Sequence, residues 1–315
     1  MRNTIVIADM MNGDKVEGFY VIKDPTIRTA SNGRAYLSGV LSDISGTIEL
    51  KSWDYAGPVS ECDAGKVVKI RGEVSEFKGM PQLTVSRIRL ADGNDVYNLA
   101  DLVPTAPVDA DRCLEEIRQL ISSLPDADYR SVAEKMLNRH IEQFSVIPAA
   151  KSVHHSFISG LMMHTYTMLK TAAFLAETYS EVIDRSLLIS GTLLHDFAKE
   201  QEFLLSELGM VTDYSMKGQL IGHLVMGAQE IAEVAKETGM PEEKTVLLQH
   251  LVLSHHGEPE FGAAVRPMCA EAELLSYIDM IDSRMEIYAE ELVNVPVGEF
   301  SSRVFSLDHK IYHHR

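Results

Sequence analysis

Two periodicities divide this chain. Between residues 15 and 90 apolar and polar side chains alternate in short runs broken by glycine, whereas from Arg112 onward apolar positions recur every three or four residues. The runs KVEGFYVIKD, AYLSGVLSD, GTIELKSWD, KVVKIRGEVSEF and QLTVSRIRL each read as a strand. Asn32-Gly33 signals a hairpin between the first two, within a turn-rich TIRTASNGR; Ile44-Ser45-Gly46 and Lys78-Gly79-Met80-Pro81 separate later runs. Only the stretch between the third and fourth runs leaves room for a helix. Five strands in about 75 residues is the strand count of an OB barrel, with a small open sandwich as the alternative.

The second half reads as helix throughout. CLEEIRQLISSL puts apolar residues at 114, 117, 120, 121 and 124, one helical face. Similar spacing continues through YRSVAEKMLNRHIEQF, HHSFISGLMMHTYTMLKTAAFLAETY, RSLLISGTLLHDFAKE, QLIGHLVMGAQEIAEVAKETG, PEEKTVLLQHLVLSHHG and AEAELLSYIDMIDSRMEIYAEELV, with no strand signal between them. Gly93, Pro104, Pro107 and several aspartates mark 91–112 as a linker. The predicted organisation is multidomain: an all-β OB barrel over 1–95, a linker and helical connector over 96–150, and an all-α helical bundle over 151–315. The terminal HKIYHHR, with His309, His313 and His314, reads as a mobile tail.

Composition narrows the class. At 315 residues, with 45% apolar side chains, the chain can build two real cores. Three scattered cysteines without a CxxC pair argue against a zinc ribbon or a disulfide framework. Without a secretory signal or an eighteen-residue apolar run, a cytoplasmic location is expected. The formal charge of −17 is unevenly spread: residues 1–100 hold 12 Lys and Arg against 13 Asp and Glu, and the remainder 17 against 33. The acidic half argues against an extensive phosphate-tracking surface there but leaves room for a narrow basic channel.

The chemistry lies in polar residues set into apolar runs: His164, His195-Asp196, His223, His255-His256 and Asp279. Burying so many imidazoles and carboxylates is costly unless something pairs with them. His164, His195, Asp196 and Asp279 supply enough donors for one divalent metal with an open position. His223, His255 and His256 extend the set to a second metal, with Asp196 bridging, which is the arrangement of metal-assisted phosphate-ester hydrolysis. Asp282, one turn beyond Asp279, competes with it for the buried position. Lys199, three residues after Asp196, is placed to meet a substrate phosphate or is a plain surface lysine. His140 reads as a surface residue, His250 as core or surface, and His154-His155 as substrate contacts or an exposed pair at a helix start. No GxSxG, P-loop or HExxH motif offers another catalysis.

The ordered set His164, His195-Asp196, Asp279 resembles the H…HD…D pattern of HD-domain phosphohydrolases, and the added histidines resemble its two-metal members. The phrases GLMMHT, LLHDFAKE, GQLIGHLVMG and LSHHGEPEFGA, with NGRAYLSGVLSDISGTIELKSWD in the barrel, are similar to the bacterial YhaM-type 3′→5′ exoribonucleases over nearly the whole chain. The resemblance implies an OB barrel joined to an HD domain and a substrate of single-stranded RNA, with DNA left open. It also implies nucleoside 5′-monophosphate products and an assembly of several protomers. It implies Mn²⁺ as well, whereas donor chemistry alone admits Mn, Fe, Co or Zn. The alternative is an HD phosphohydrolase acting on a small nucleotide or cyclic dinucleotide.

On the barrel, single-strand binding would use aromatic faces and a basic groove. Candidates are Phe19, Tyr20, Tyr36, Trp53, Tyr55 and Phe77 with Lys51, Lys69, Arg71, Lys78, Arg87 and Arg89. Because alternate strand residues point to opposite sides, about half of these aromatics are expected in the barrel core.

Overall fold

A computed structural model describes residues 5–77, 79–151 and 155–315. Two predicted contact residues, Lys78 and His154, lie outside the described residues. The chain divides into two compact units, Met1–Thr105 with Ser206–Leu208, and Ala106–Leu205 with Gly209–Arg315.

The first unit is a closed five-stranded barrel. Its strands are β1 (Lys15–Thr29), β2 (Ala35–Asp43), β3 (Gly46–Ser52), β4 (Val67–Phe77) and β5 (Met80–Leu90). The order around the barrel is β1-β2-β3-β5-β4, with β4 returning to β1 and only β3 and β5 parallel. Alternation fixes the two faces: Leu37, Leu41, Ile48, Leu50, Ile70 and Leu83 fill the interior, and intervening residues point out. One expectation is corrected. The turn-rich segment after Asp24 continues β1 through an irregularity between Lys23 and Thr26, so Thr26–Thr29 pair with Ala35–Ser38. Local turn residues do not end a strand whose partner is already in place.

The second unit is mainly helical. Helices α1 (Ala110–Ser122), α2 (Ala127–Phe144), α3 (Gly160–Thr178) and α4 (Arg185–Leu194) are followed by a short α5 (Lys199–Glu202). A hairpin of β6 (Phe203–Leu205) and β7 (Val211–Tyr214) leads to α6 (Met216–Leu220). Then come α7 (His223–Thr238), α8 (Glu242–Ser254) and α9 (Ala270–Leu292), and a second hairpin of β8 (Phe300–Val304) and β9 (His309–Tyr312). Asp109, Asp126 and Asp184 cap α1, α2 and α4 by accepting N–H bonds of their first turns. Every residue from Ser186 to Leu194 is buried, so α4 is the central helix; its sequence is mainly apolar, and the buried Thr192 hydroxyl donates to Leu188 O within the helix. Around it α2, α3, α8 and α9 contribute Leu137, Phe144, Leu161, Leu251 and Leu275 to one core.

The two hairpins depart from the all-helical expectation. Their strands are three to five residues long, too short for alternation to register against helical neighbours. The terminal segment is ordered: Val304, Leu307 and Ile311 bury against Ile287 of α9. His140 is also misplaced by sequence. It is buried, with Nδ1 2.8 Å from Glu200 and Nε2 2.8 Å from Glu230, and so ties α2 to α5 and α7.

Candidate metal centre

The predicted donors converge in the second unit. His164 comes from α3, His195 and Asp196 from the end of α4, His223 from the start of α7, His255 and His256 from the end of α8, and Asp279 from α9. His195 and His255 are equivalent in placement, each the C-cap of its helix. The two helices approach closely at Gly191, where a Cβ would stand 2.3 Å from Leu251 Cδ2 and 3.1 Å from its Cβ. That contact brings the rings of His195 and His255 to 4.8 Å, edge to face. Gly222, at φ +78°, turns the chain sharply out of α6 so that α7 can begin at His223.

Asp196 is the hub. Its Oδ2 lies 3.1 Å from His195 Nε2 and 3.8 Å from His164 Nε2; its Oδ1 lies 3.3 Å from His223 Nε2 and 3.7 Å from His255 Nε2. His164 Nε2 is 3.3 Å from His195 Nε2 and 3.4 Å from Asp279 Oδ1. Donors about 2.0–2.2 Å from a shared cation, at right angles to one another, stand about 3 Å apart, so most of these spacings are close to those of ligands around an ion. The trios His164, His195, Asp196 and His223, His255, His256 each gather within 4.8 Å.

The other ring nitrogens fix the tautomers. A carbonyl or carboxylate only accepts, so His195 Nδ1 donates to Thr192 O and His255 Nδ1 to Val252 O, both at 2.8 Å. His164 Nδ1 meets Asp282 at 2.7 Å, and His223 Nδ1 meets both oxygens of Glu202 at 3.1 Å. All four imidazoles therefore turn Nε2 toward the centre, the orientation metal ligands take when an outer partner holds the far N–H. Asp196 Oδ1, His223 Nε2 and His256 Nδ1 are buried without a hydrogen-bond partner among the described residues. Unsatisfied acceptors beside carboxylates fit a divalent cation better than any protein group.

The electrostatics agree. Burial lowers the pKa of His164, but Asp279 and Asp282 outweigh it and raise it to about 9, so this ring gives up a proton to become a ligand. Burial raises Asp279 and Asp196, yet surrounding imidazoles, and for Asp196 also Lys199, keep both well below the usual carboxylate range. Burial, reinforced by His195 and His256, keeps His255 neutral, the form that ligates. The site is a concentration of carboxylates that demands positive charge. Lys199 supplies part of it, its Nζ 2.7 Å from Asp196 Oδ2.

Some contributors were not legible. Glu202 and Thr167 carry no sequence signal, since each matters only through a partner distant in the chain. Asp279 and Asp282 both face α3, so neither is the exposed one of the pair. His155 is buried with Nε2 2.9 Å from Asp282, behind the ligands and not on a strand-contacting surface.

The barrel offers a separate surface. Tyr36 and Trp53 pack at 4.8 Å on the outer face of β2 and the end of β3, with Lys51 Nζ 5.5 to 6.0 Å from the rings of Tyr36, Trp53 and Phe77. Trp53 and Phe77 are exposed, whereas Tyr20 fills the barrel interior and Phe19, on the opposite side of β1, is buried against Tyr97. Tyr55 is tied to Val59 through its hydroxyl. A groove of about 530 Å³ is lined by Trp53, Tyr55, Lys69, Arg71, Arg87 and Arg89. Within it Arg71 pairs with Glu17, and Arg89 with Asp95.

Residues 161–284 match the family model of the HD domain. The matched segment contains every converging donor, and the match indicates a metal-dependent phosphohydrolase. The barrel is similar to two solved OB folds. One is the second OB-fold domain of replication protein A from Methanococcus maripaludis, 15% identical over 31% of this chain and 100% of that one, with a TM-score of 0.22. The other is an OB domain from Thermoplasma acidophilum, 20% identical over 30% of this chain and 92% of that one, with a TM-score of 0.23. No helix among the described residues is long and apolar enough to cross a membrane.

Proposed function

We propose that this protein is a metal-dependent 3′→5′ exonuclease that shortens single-stranded RNA and releases nucleoside 5′-monophosphates. The observation that carries the reading is Asp196, buried between two histidine groups with one oxygen toward each. His164, His195, Asp196 and Asp279 would hold one divalent cation, and Asp196, His223, His255 and His256 a second, with Mn²⁺ the favoured ion. Two such cations supply a nucleophile at neutral pH and offset charge on a phosphodiester. The chain's own part is placement. Outer hydrogen bonds fix the rings, the apolar core around α4 limits water, and Lys199 is poised beside Asp196 to meet a phosphate oxygen. The exposed Trp53 and Phe77, with Tyr36 and Lys51, suit stacking of bases from a strand; Arg87 and its neighbours suit its backbone.

The barrel surface favours a strand over a small nucleotide, which has no use for a second binding unit. The sequence resemblance to YhaM-type enzymes favours the 3′ end. Incubation with Mn²⁺ and end-labelled single-stranded RNA, single-stranded DNA or a cyclic dinucleotide tests the reading. Stepwise loss from the 3′ end of RNA is expected, and Asp196→Ala should reduce it by more than about 100-fold, since even outer partners of metal ligands cost 10–100-fold. Hydrolysis of the cyclic dinucleotide alone would replace this reading with the small-nucleotide one.

A further inference from the structure

We propose that Asp282 is a positioning residue that fixes His164 as a ligand of the first cation, with His155 and Thr167 holding Asp282 in turn. The inference rests on the metal-centre reading above and adds to it a division of labour between the two cations.

Asp279 and Asp282 are one turn apart on α9, and the ring of His164 sits between them. Asp279 Oδ1 is 3.4 Å from Nε2 on the inner side, and Asp282 Oδ2 is 2.7 Å from Nδ1 on the outer side. Three groups converge on Asp282: His164 and His155 on Oδ2, and the Thr167 hydroxyl on Oδ1 at 2.5 Å. Thr167 follows His164 by one turn of α3, so the helix that carries the ligand also grips the carboxylate that orients it. His155 reaches the same oxygen from a left-handed backbone conformation, φ +54°. That geometry is uncommon for a residue with a Cβ and persists only where the surroundings enforce it. They do so at Gly160, where a Cβ would lie 2.0 Å from His155 O, so only glycine lets the loop lie against the start of α3. A half-buried carboxylate with this many donors is built for more than solubility.

The other rings sharpen the point. His195 and His255 are oriented by backbone carbonyls, and His223 by Glu202. Each proposed cation would thus receive one carboxylate-backed imidazole, His164 for the first and His223 for the second. A carboxylate raises ligand basicity more than a carbonyl does, so each cation's affinity is set by its own outer acid.

Calorimetric titration of the metal-free full chain with Mn²⁺, together with Co²⁺ absorption spectra, tests this. The wild type is expected to take up two equivalents. Asp282→Asn should weaken one of them 10–100-fold and change the Co²⁺ bands of that site while leaving the other equivalent as it was. Thr167→Val and His155→Gln should act in the same direction and less strongly; Thr167→Val, which removes no charge, serves if Asp282→Asn fails to fold. Unchanged affinity and spectra in these variants, with a lowered melting temperature, would overturn the proposal, because a merely structural role gives that result. A third wild-type equivalent lost in Asp282→Asn would also overturn it, by making the His155, His164, Asp282 cluster a site of its own. A wild type that binds no Mn²⁺ or Co²⁺ would sink the metal-centre reading itself.

Discussion

At the scale of single residues, a histidine's meaning is decided by what faces it across the fold. His140 and His164 are both buried and both held to a pKa of about 9, by different neighbours. For His140, burial lowers the value and the hydrogen bonds its ring donates to Glu200 and Glu230 more than restore it. A folded-state pKa raised from 6.5 to about 9 stabilises the fold fully below pH 6.5, and the contribution disappears as pH climbs through about 9. The loss is at most about 3–4 kcal/mol. Urea denaturation at pH 6.5, 8 and 9.5 should show the decline, and His140→Gln should lessen it, leaving the part that His164 supplies; equal slopes in both proteins would remove His140 from the account. The seven predicted donors were legible because each interrupts an apolar run, where a polar group needs a reason. His140 was not, because Glu230 lies 90 positions away and nothing local distinguishes a paired imidazole from an exposed one.

At the scale of elements, the centre depends on how closely α4 and α8 pack. Gly191 has no room for even a methyl group against Leu251. Gly191→Ala should therefore spread the two helices, cost about 1–3 kcal/mol in overpacking, and weaken metal uptake by separating His195 from His255. Denaturation and Mn²⁺ titration of the same sample check both effects, and a variant with wild-type stability would show that Leu251 simply moves aside. Long elements were readable from periodicity: β2 follows the predicted run residue for residue, and α9 carries its apolar face as expected. Breaks were less so. The chain leaves helix at Ile221 and Gly222 inside a segment whose apolar spacing never falters, because the break is set by His223 reaching Glu202 and not by any helix breaker before Gly222. Short hairpins were invisible for the opposite reason, having too few residues to display a period.

Across the whole molecule, charge is divided between units of different chemistry. The barrel is near neutral and gathers Lys69, Arg71, Arg87 and Arg89 along one groove, whereas the helical half is strongly acidic. Arg71 and Arg89 already have carboxylate partners, so few cations are left to displace counterions from a strand. Affinity for single-stranded RNA should fall with salt at a logarithmic slope no steeper than about −3, from roughly 0.7 per neutralised phosphate. Filter binding between 50 and 300 mM salt, in the absence of divalent ions, measures it; a slope of −6 or beyond would require a basic surface that the barrel groove does not provide.

The equivalent placement of His195 and His255 at the ends of α4 and α8 has an electrical side. Aligned peptide dipoles leave a partial negative charge, about half an elementary unit, at each carboxyl end, and both ends open on the same small volume. That field belongs to the main chain, so no side-chain replacement abolishes it. Variants stripped of an acid should go on attracting divalent ions after they have stopped turning over substrate, and ion retention alone is a poor witness to an intact catalyst.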